Sequence, residues 1–357
     1  VTRFVGRSQS LTAGATGELY INRGASAWPM AKRKYTATKR NKIEPSVQTL
    51  TFTTSPAGAA VTTDYIDLSQ VASLVNRRFY RQGINWAVAG IKCLTTAGYV
   101  GSITVSKLPN TWVMSNSWEK GFRAWQRQQD EVLEDGEQES VRARFNDFKV
   151  YADADHLALG VAGNLLPTSM SIPASATPTY LPGEWEYSQI VIPNYGAPGN
   201  NYEPSITAVG DYVGGVAGSI SLIKAYQNSR GVPQSPDPAV PAGVTNTDNI
   251  WRALFDVGDN NEDVLANVVG KNNDLPYPQD EYPGGATQGS GLALHDVENV
   301  STTTIGGTTR LKGGNFPCGL MRFDFSNSGE PGAIVGIIVD LIPGSHRGYL
   351  CEPMTEM

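Results

Sequence analysis

Glu184 and Glu186 lie on either side of Trp185. Two carboxylates beside an indole are what glycoside hydrolysis uses: an acid for the leaving oxygen, a base or nucleophile opposite, and a ring for the sugar to stack on. Alternation along a strand produces the same arrangement without chemistry, with both acids in water and the Trp buried between them. Asp153 with Asp155, and the run Asp256-Val-Gly-Asp-Asn-Asn-Glu-Asp263, offer carboxylate oxygens of the kind that hold Ca²⁺, yet neither has the spacing of a calcium-binding loop. Cys93, Cys318 and Cys351 are too few and too scattered for a disulfide framework, and none has a Cys or His at metal-ligand spacing. His156, His295 and His346 are equally isolated. The sequence contains no GxSxG, no glycine-rich phosphate loop and no HExxH. Asn299-Val-Ser301 matches the glycosylation acceptor, but no secretory signal core accompanies it. The expectation is no catalytic residue, no metal and no cofactor.

Charge says more. Within residues 1–42, Arg3, Arg7, Arg23, Lys32, Arg33, Lys34, Lys39, Arg40 and Lys42 stand against the single acid Glu18, a net of +8, which leaves -14 on the other 315 residues of a chain whose total is -6. The same segment is rich in Gly, Ala, Ser and Thr and has no sustained period, so it is expected to be an arm and not a packed element. A basic arm on an acidic body suits contact with a polyanion, because each Lys or Arg that meets a phosphate releases a condensed counterion. The nine basic residues are therefore the candidate nucleic-acid-binding set. Lys32-Arg33-Lys34 and Lys39-Arg40 also match a nuclear-targeting patch.

The elements that would carry such an arm are mostly strands. With 38 Gly, 22 Pro and only 17% charged residues, against a usual charged share of about 25%, the composition favours short strands joined by structured loops. No apolar run approaches the roughly 20 residues of a membrane span. Residues 84–94 and 99–108 alternate apolar with small or polar side chains and predict a β-hairpin. The period then changes. Trp118, Phe122 and Trp125, spaced four and three, predict a structural helix over 115–133 that packs into the core, with Ser115 or Ser117 as its cap. Residues 47–54 and 60–68 predict a second strand pair, and 69–81 a short helix capped by Ser69, with Arg77, Arg78 and Arg81 clustered at its end. Strands are also expected at 145–151, 184–192, 320–325 and 333–342, the last apolar enough to be buried on both faces. Residues 205–225 fit a strand pair or a Gly-rich helix, and 228–309 form a loop-rich interval with helix-like pieces at 246–257 and 261–269, expected on an outer surface.

Three blocks carry a resemblance: Leu68-Ser-Gln-Val-Ala-Ser-Leu-Val-Asn-Arg-Arg-Phe-Tyr-Arg-Gln-Gly83, Trp86-Ala-Val-Ala-Gly-Ile-Lys92 and Trp112-Val-Met-Ser-Asn-Ser-Trp-Glu-Lys-Gly-Phe-Arg-Ala-Trp-Gln-Arg-Gln128. They resemble capsid proteins of small circular single-stranded DNA viruses that encode a replication initiator, most of all the diatom-infecting bacilladnaviruses. The resemblance spans about residues 45–151, somewhat under a third of the chain. It implies a mainly β protein, a single viral jelly roll of eight antiparallel strands, related to the shells of nodavirus-like RNA viruses. It also implies a homo-oligomeric icosahedral shell, often of 180 copies, with a basic arm pointing inward onto the genome and a host receptor outside. On this basis residues 1–43 are the arm, 44–227 the first part of the shell domain, 228–309 a loop-rich insertion and candidate surface projection, and 310–357 the last strands and tail. The expected function is a coat protein of a virion assembled in the host cell. The alternative class is a β-sandwich carbohydrate-binding protein or glycosidase built on Trp185 and Glu186, which would have no use for the +8 arm.

Overall fold

A computed structural model describes residues 45–58, 61–136, 147–168, 180–192, 199, 201–210, 218–230, 282, 291–304 and 307–357. The nine basic residues of the arm, the run 256–263 and the helix-like pieces 246–257 and 261–269 lie outside the described residues. The protein is mainly β, with antiparallel sheets. Eight strands of six to twelve residues carry the two main sheets: β1 (Thr49–Thr54), β2 (Val61–Asp67), β3 (Ile84–Thr95), β4 (Gly101–Lys107) and, after the short β5 (Ser205–Thr207) and β6 (Ser219–Ser221), β7 (Ala293–Val300), β8 (Thr308–Phe316), β9 (Leu320–Asn327) and β10 (Val335–Leu341). One sheet runs β1-β10-β3, with β8 and the short strand Cys351–Pro353 also paired to β3, and the other runs β2-β9-β4-β7, every pair antiparallel. Their apolar faces share one core cluster, in which Phe52, Ile66, Ile103, Phe323, Phe325 and Ile337 are fully buried. β10, central in its sheet, carries the run expected to be buried on both faces, but only one face is fully so, with Val335, Ile337 and Val339, while Ile338 and Asp340 on the other are half-buried.

Two expected pairings are corrected. Residues 84–94 and 99–108 do not form a hairpin: β3 pairs with β10 and β8, β4 pairs with β9 and β7, and the link between β3 and β4 crosses from one sheet to the other. Likewise β1 pairs with β10 and β2 with β9, not with each other. Alternation sets which face of a strand is buried, but backbone N–H and C=O groups are alike in every residue, so a pleated pattern carries no address for its partner. β7 is a further correction, since residues 293–300 belong to the interval expected as loop and instead form a ladder with β4. The ladder slips by one residue between Val105 and Ser106, and along β7 only Asp296 and Val300 are buried. An edge strand with His295, Asp296 and Glu298 in it shows little apolar period.

Between β4 and β7 the chain makes a long excursion that holds α2 (Trp112–Asp135), α3 (Ala154–Leu159), β5 and β6 in parallel, and α4 (Leu222–Arg230), while α1 (Leu68–Asn76) links β2 to β3. Of the expected strands 145–151 and 184–192, the described residues 147–151 and 184–192 do not form regular strands. Tyr151 makes one bridge to Thr207, and Gln189 and Ile192 make isolated bridges to Ser205 and Tyr202. The cap of α2 is Thr111, whose Oγ1 accepts from Met114 N at 3.4 Å, while Ser115 and Ser117 lie buried inside the helix. Asp67 caps α1 in place of Ser69. The stripe Trp118, Phe122 and Trp125 does pack, but in a second cluster away from the space between the sheets, with all three rings 5.6–5.9 Å from Phe148. Beyond Ala124 the helix runs into solvent, and Val132 is 65% exposed.

Gly83, just before β3, packs directly against Trp118 of α2. A Cβ there would lie 2.2 Å from Trp118 Cζ2, and that ring is stacked on Phe122 and set edge-on to Phe148. Gly83→Ala is expected to lower stability by about 1–3 kcal/mol through overpacking. Urea unfolding with an unchanged m-value measures it, and a midpoint equal to the parent's would show that Trp118 has room to move.

Candidate functional site

The most strongly built polar site joins the excursion to strands β2 and β9. It starts at Asp67, the last residue of β2, which is fully buried. Its Oδ1 accepts from Ser69 N (2.9 Å) and Gln70 N (3.2 Å), capping α1, and its Oδ2 accepts from Gln82 Nε2 (3.1 Å) and Tyr187 OH (3.2 Å). Gln82 also bridges to Val150, accepting from its N–H at 2.6 Å and donating to its carbonyl at 3.0 Å. Asn164 donates to Tyr187 OH and to Gln70 Oε1, both at 2.9 Å. His156 is fixed in one tautomer. Ala152 N donates to Nδ1 (3.0 Å), so Nε2 carries the proton toward Asn164 Oδ1 at 2.7 Å. Its ring stacks on Tyr65 with centroids 4.3 Å apart.

Tyr65 leads to the charged end of the same network. Its hydroxyl donates to Asp153 Oδ1 (2.7 Å), the cap of α3, and Arg322 of β9 donates through Nη1 to Asp153 and Asp155 (2.8 Å each) and through Nε to Asp324 (3.0 Å). Burial raises the Asp67 carboxyl to about 6, against the lowering effect of its four hydrogen bonds. Burial depresses His156 to about 4, partly opposed by Asn164 and Asp153. The hydrogen-bonding capacity of these groups is spent on one another, which suits a joint that holds two parts of a protein in register.

The second feature is a groove of about 360 Å³ where α2, the start of β3 and the C-terminal segment meet. Trp118, Phe122, Phe148 and Phe79 line it together with Arg81 and Arg347. Arg81 and Arg347 are exposed. Arg347 Nη1 donates to Phe79 O, so the guanidinium is held against the aromatic wall.

The sequence candidates are dispersed. Glu184 and Glu186 are exposed, whereas Trp185 between them is 8% exposed and has Lys149 Nζ 4.4 Å from its ring centroid. Alternation about a buried Trp accounts for that trio. Asp153 and Asp155 come together around Arg322, a cation. Among the described residues no three His, Cys, Asp or Glu side chains group as a metal site, and no described helix is long and apolar enough to cross a membrane. Cys93 and Cys318 are buried free thiols, and Cys351 is partly buried and free. Of the joint, sequence alone offers a hint only at Asp67, a favoured cap residue directly before an apolar helical period. No family model, no curated protein and no solved structure matches the chain.

Proposed function

We propose that this chain is a viral coat protein whose sandwich is a single jelly roll, that it self-assembles into an icosahedral shell, and that its basic arm holds the packaged genome. The observation that carries the reading is strand order. If the eight long strands are lettered B to I along the chain, the sheets run B-I-D-G and C-H-E-F, the order in which a jelly roll folds two Greek keys over one another. The +8 arm set against a body of -14 supports the genome contact, since basic side chains on phosphates gain counterion release while an acidic body limits non-specific attachment elsewhere. The resemblance of residues 45–151 favours single-stranded DNA as the cargo and 180 as the copy number.

Purified protein should give uniform particles by negative-stain imaging and light scattering, and monomers under every assembly condition would overturn the reading. Replacing Lys32, Arg33, Lys34, Lys39 and Arg40 with Gln removes five of the nine basic residues of the arm. Particles of this variant are expected to form with less nucleic acid, read as a fall in the 260/280 nm absorbance ratio. Equal nucleic-acid content in variant and parent particles would remove the arm from packaging.

A further inference from the structure

We infer that the groove beside Gly83 seats one base of a single-stranded nucleic acid, with the adjoining phosphate held by Arg81 and Arg347. The inference rests on the packaging reading and adds a contact from the folded body to that of the arm. Its lining is aromatic: Trp118 and Phe122 already lie parallel, with centroids 5.3 Å apart and planes 14° apart, and Phe79 and Phe148 complete the wall. A flat base can continue such a stack whatever its identity, as in proteins that bind single strands without sequence preference. The opening of about 360 Å³ falls within the roughly 300–1,000 Å³ of small-molecule sites.

Charge selects the occupant. Arg81 and Arg347, both exposed, line the groove. The acids next to the lining residues are engaged: Glu352 accepts from Asn85 Nδ2 at 2.9 Å, and Asp147 pairs with Lys149. The described chain also begins at this corner. Val47 N donates to Asn76 Oδ1 (3.0 Å), Ser46 Oγ to Gly348 O (3.1 Å) and Tyr349 OH to Val47 O (2.6 Å), which holds Ser46 and Val47 against the C-terminal segment. An apolar segment of a second copy would fill the aromatic wall but bring no anion to the positive charge of Arg81 and Arg347, so the nucleic acid is favoured.

The test uses the full chain in three forms: the parent, the five-Gln arm variant, and a groove variant carrying Phe79→Leu, Arg81→Gln and Arg347→Gln, each checked for unchanged secondary structure. A single-stranded oligodeoxynucleotide substituted with 5-bromodeoxyuridine is bound, irradiated, and the crosslinked peptides are mapped by mass spectrometry. Crosslinks at Phe79 or Trp118 in the parent and in the arm variant, lost in the groove variant, are expected. Affinity of the groove variant should fall about tenfold through lost stacking. Its log–log salt slope should flatten by up to about 0.7 for each phosphate contact removed, a change that a purely structural role would not produce. Crosslinks confined to residues 1–44, with parent affinity in the groove variant, would overturn the groove while leaving packaging intact. Absence of crosslinks in all three forms would overturn packaging itself, and protection of Phe79 and Trp118 in empty particles would assign the groove to a neighbouring subunit.

Discussion

Arg322→Ala is expected to destabilise the protein by about 3 kcal/mol, the low end of what removing one partner from a buried ion pair costs. The low end applies because the Arg322 side chain is 22% exposed, so water can enter and screen part of what is left. What is left is three carboxylates, Asp153, Asp155 and Asp324, gathered around a missing cation. Asp153 is the most affected, being 11% exposed at its side chain and the cap of α3. Arg322→Lys should recover only part of the loss, since one ammonium cannot serve Asp324 through Nε and the other two acids through Nη1 as the planar guanidinium does. The location of the damage is also specified. Limited proteolysis of Arg322→Ala should cut first within 147–168, where the excursion is pinned to β9, while the strands of the two main sheets stay protected. Equal stability of parent and Ala variant in urea would show that the cluster is a solvated surface array.

The second large effect is a pair of opposite pH dependences. Asp67 has its folded value raised to about 6 from an ordinary 3.8, so the folded state binds the extra proton. Its stabilising share is complete below about 4 and is lost as pH rises through 6. His156 is depressed to about 4 from 6.5, so the unfolded chain binds the extra proton. Its share is complete above about 6.5 and is lost as pH falls through 4. At about 1.4 kcal/mol for each pKa unit, each group swings by about 3 kcal/mol over the same window with opposite sign, and in the parent the two largely offset. Asp67→Asn should therefore lose stability as pH is lowered from 6.5 to 4, and His156→Gln should gain it. Denaturant midpoints measured across that window decide the matter through their slopes, whatever constant offset each substitution adds. Parallel slopes in the two variants would show that neither group titrates on folding.

Much of the element content was legible along the chain. Alternation in 47–54, 60–68, 84–94, 99–108, 320–325 and 333–342 marks strands that are present, and the four-and-three spacing of Trp118, Phe122 and Trp125 marks α2. Period reports which side of an element avoids water, and avoidance of water is local enough to be written in ten residues. The concentration of nine basic residues in 1–42 is likewise a property of the sequence itself. Partners were not legible. Thr49 lies opposite Asp340 and Val61 opposite Ser326, and backbone hydrogen bonds carry no residue identity by which such distant pairs could be matched. Which cluster receives the α2 stripe was decided by Phe148 and Gly83, residues with no period of their own. The joint was hidden for the same reason: Tyr65, Asp67, Gln82, His156, Asn164, Tyr187 and Arg322 are polar residues in separate segments, and only the closing of the excursion onto β2 and β9 turns them into one buried network. The apolar period of each strand is thus the sequence's own contribution, while pairing and polar convergence belong to the tertiary fold, because a buried polar group is tolerated only where other segments bring it a partner.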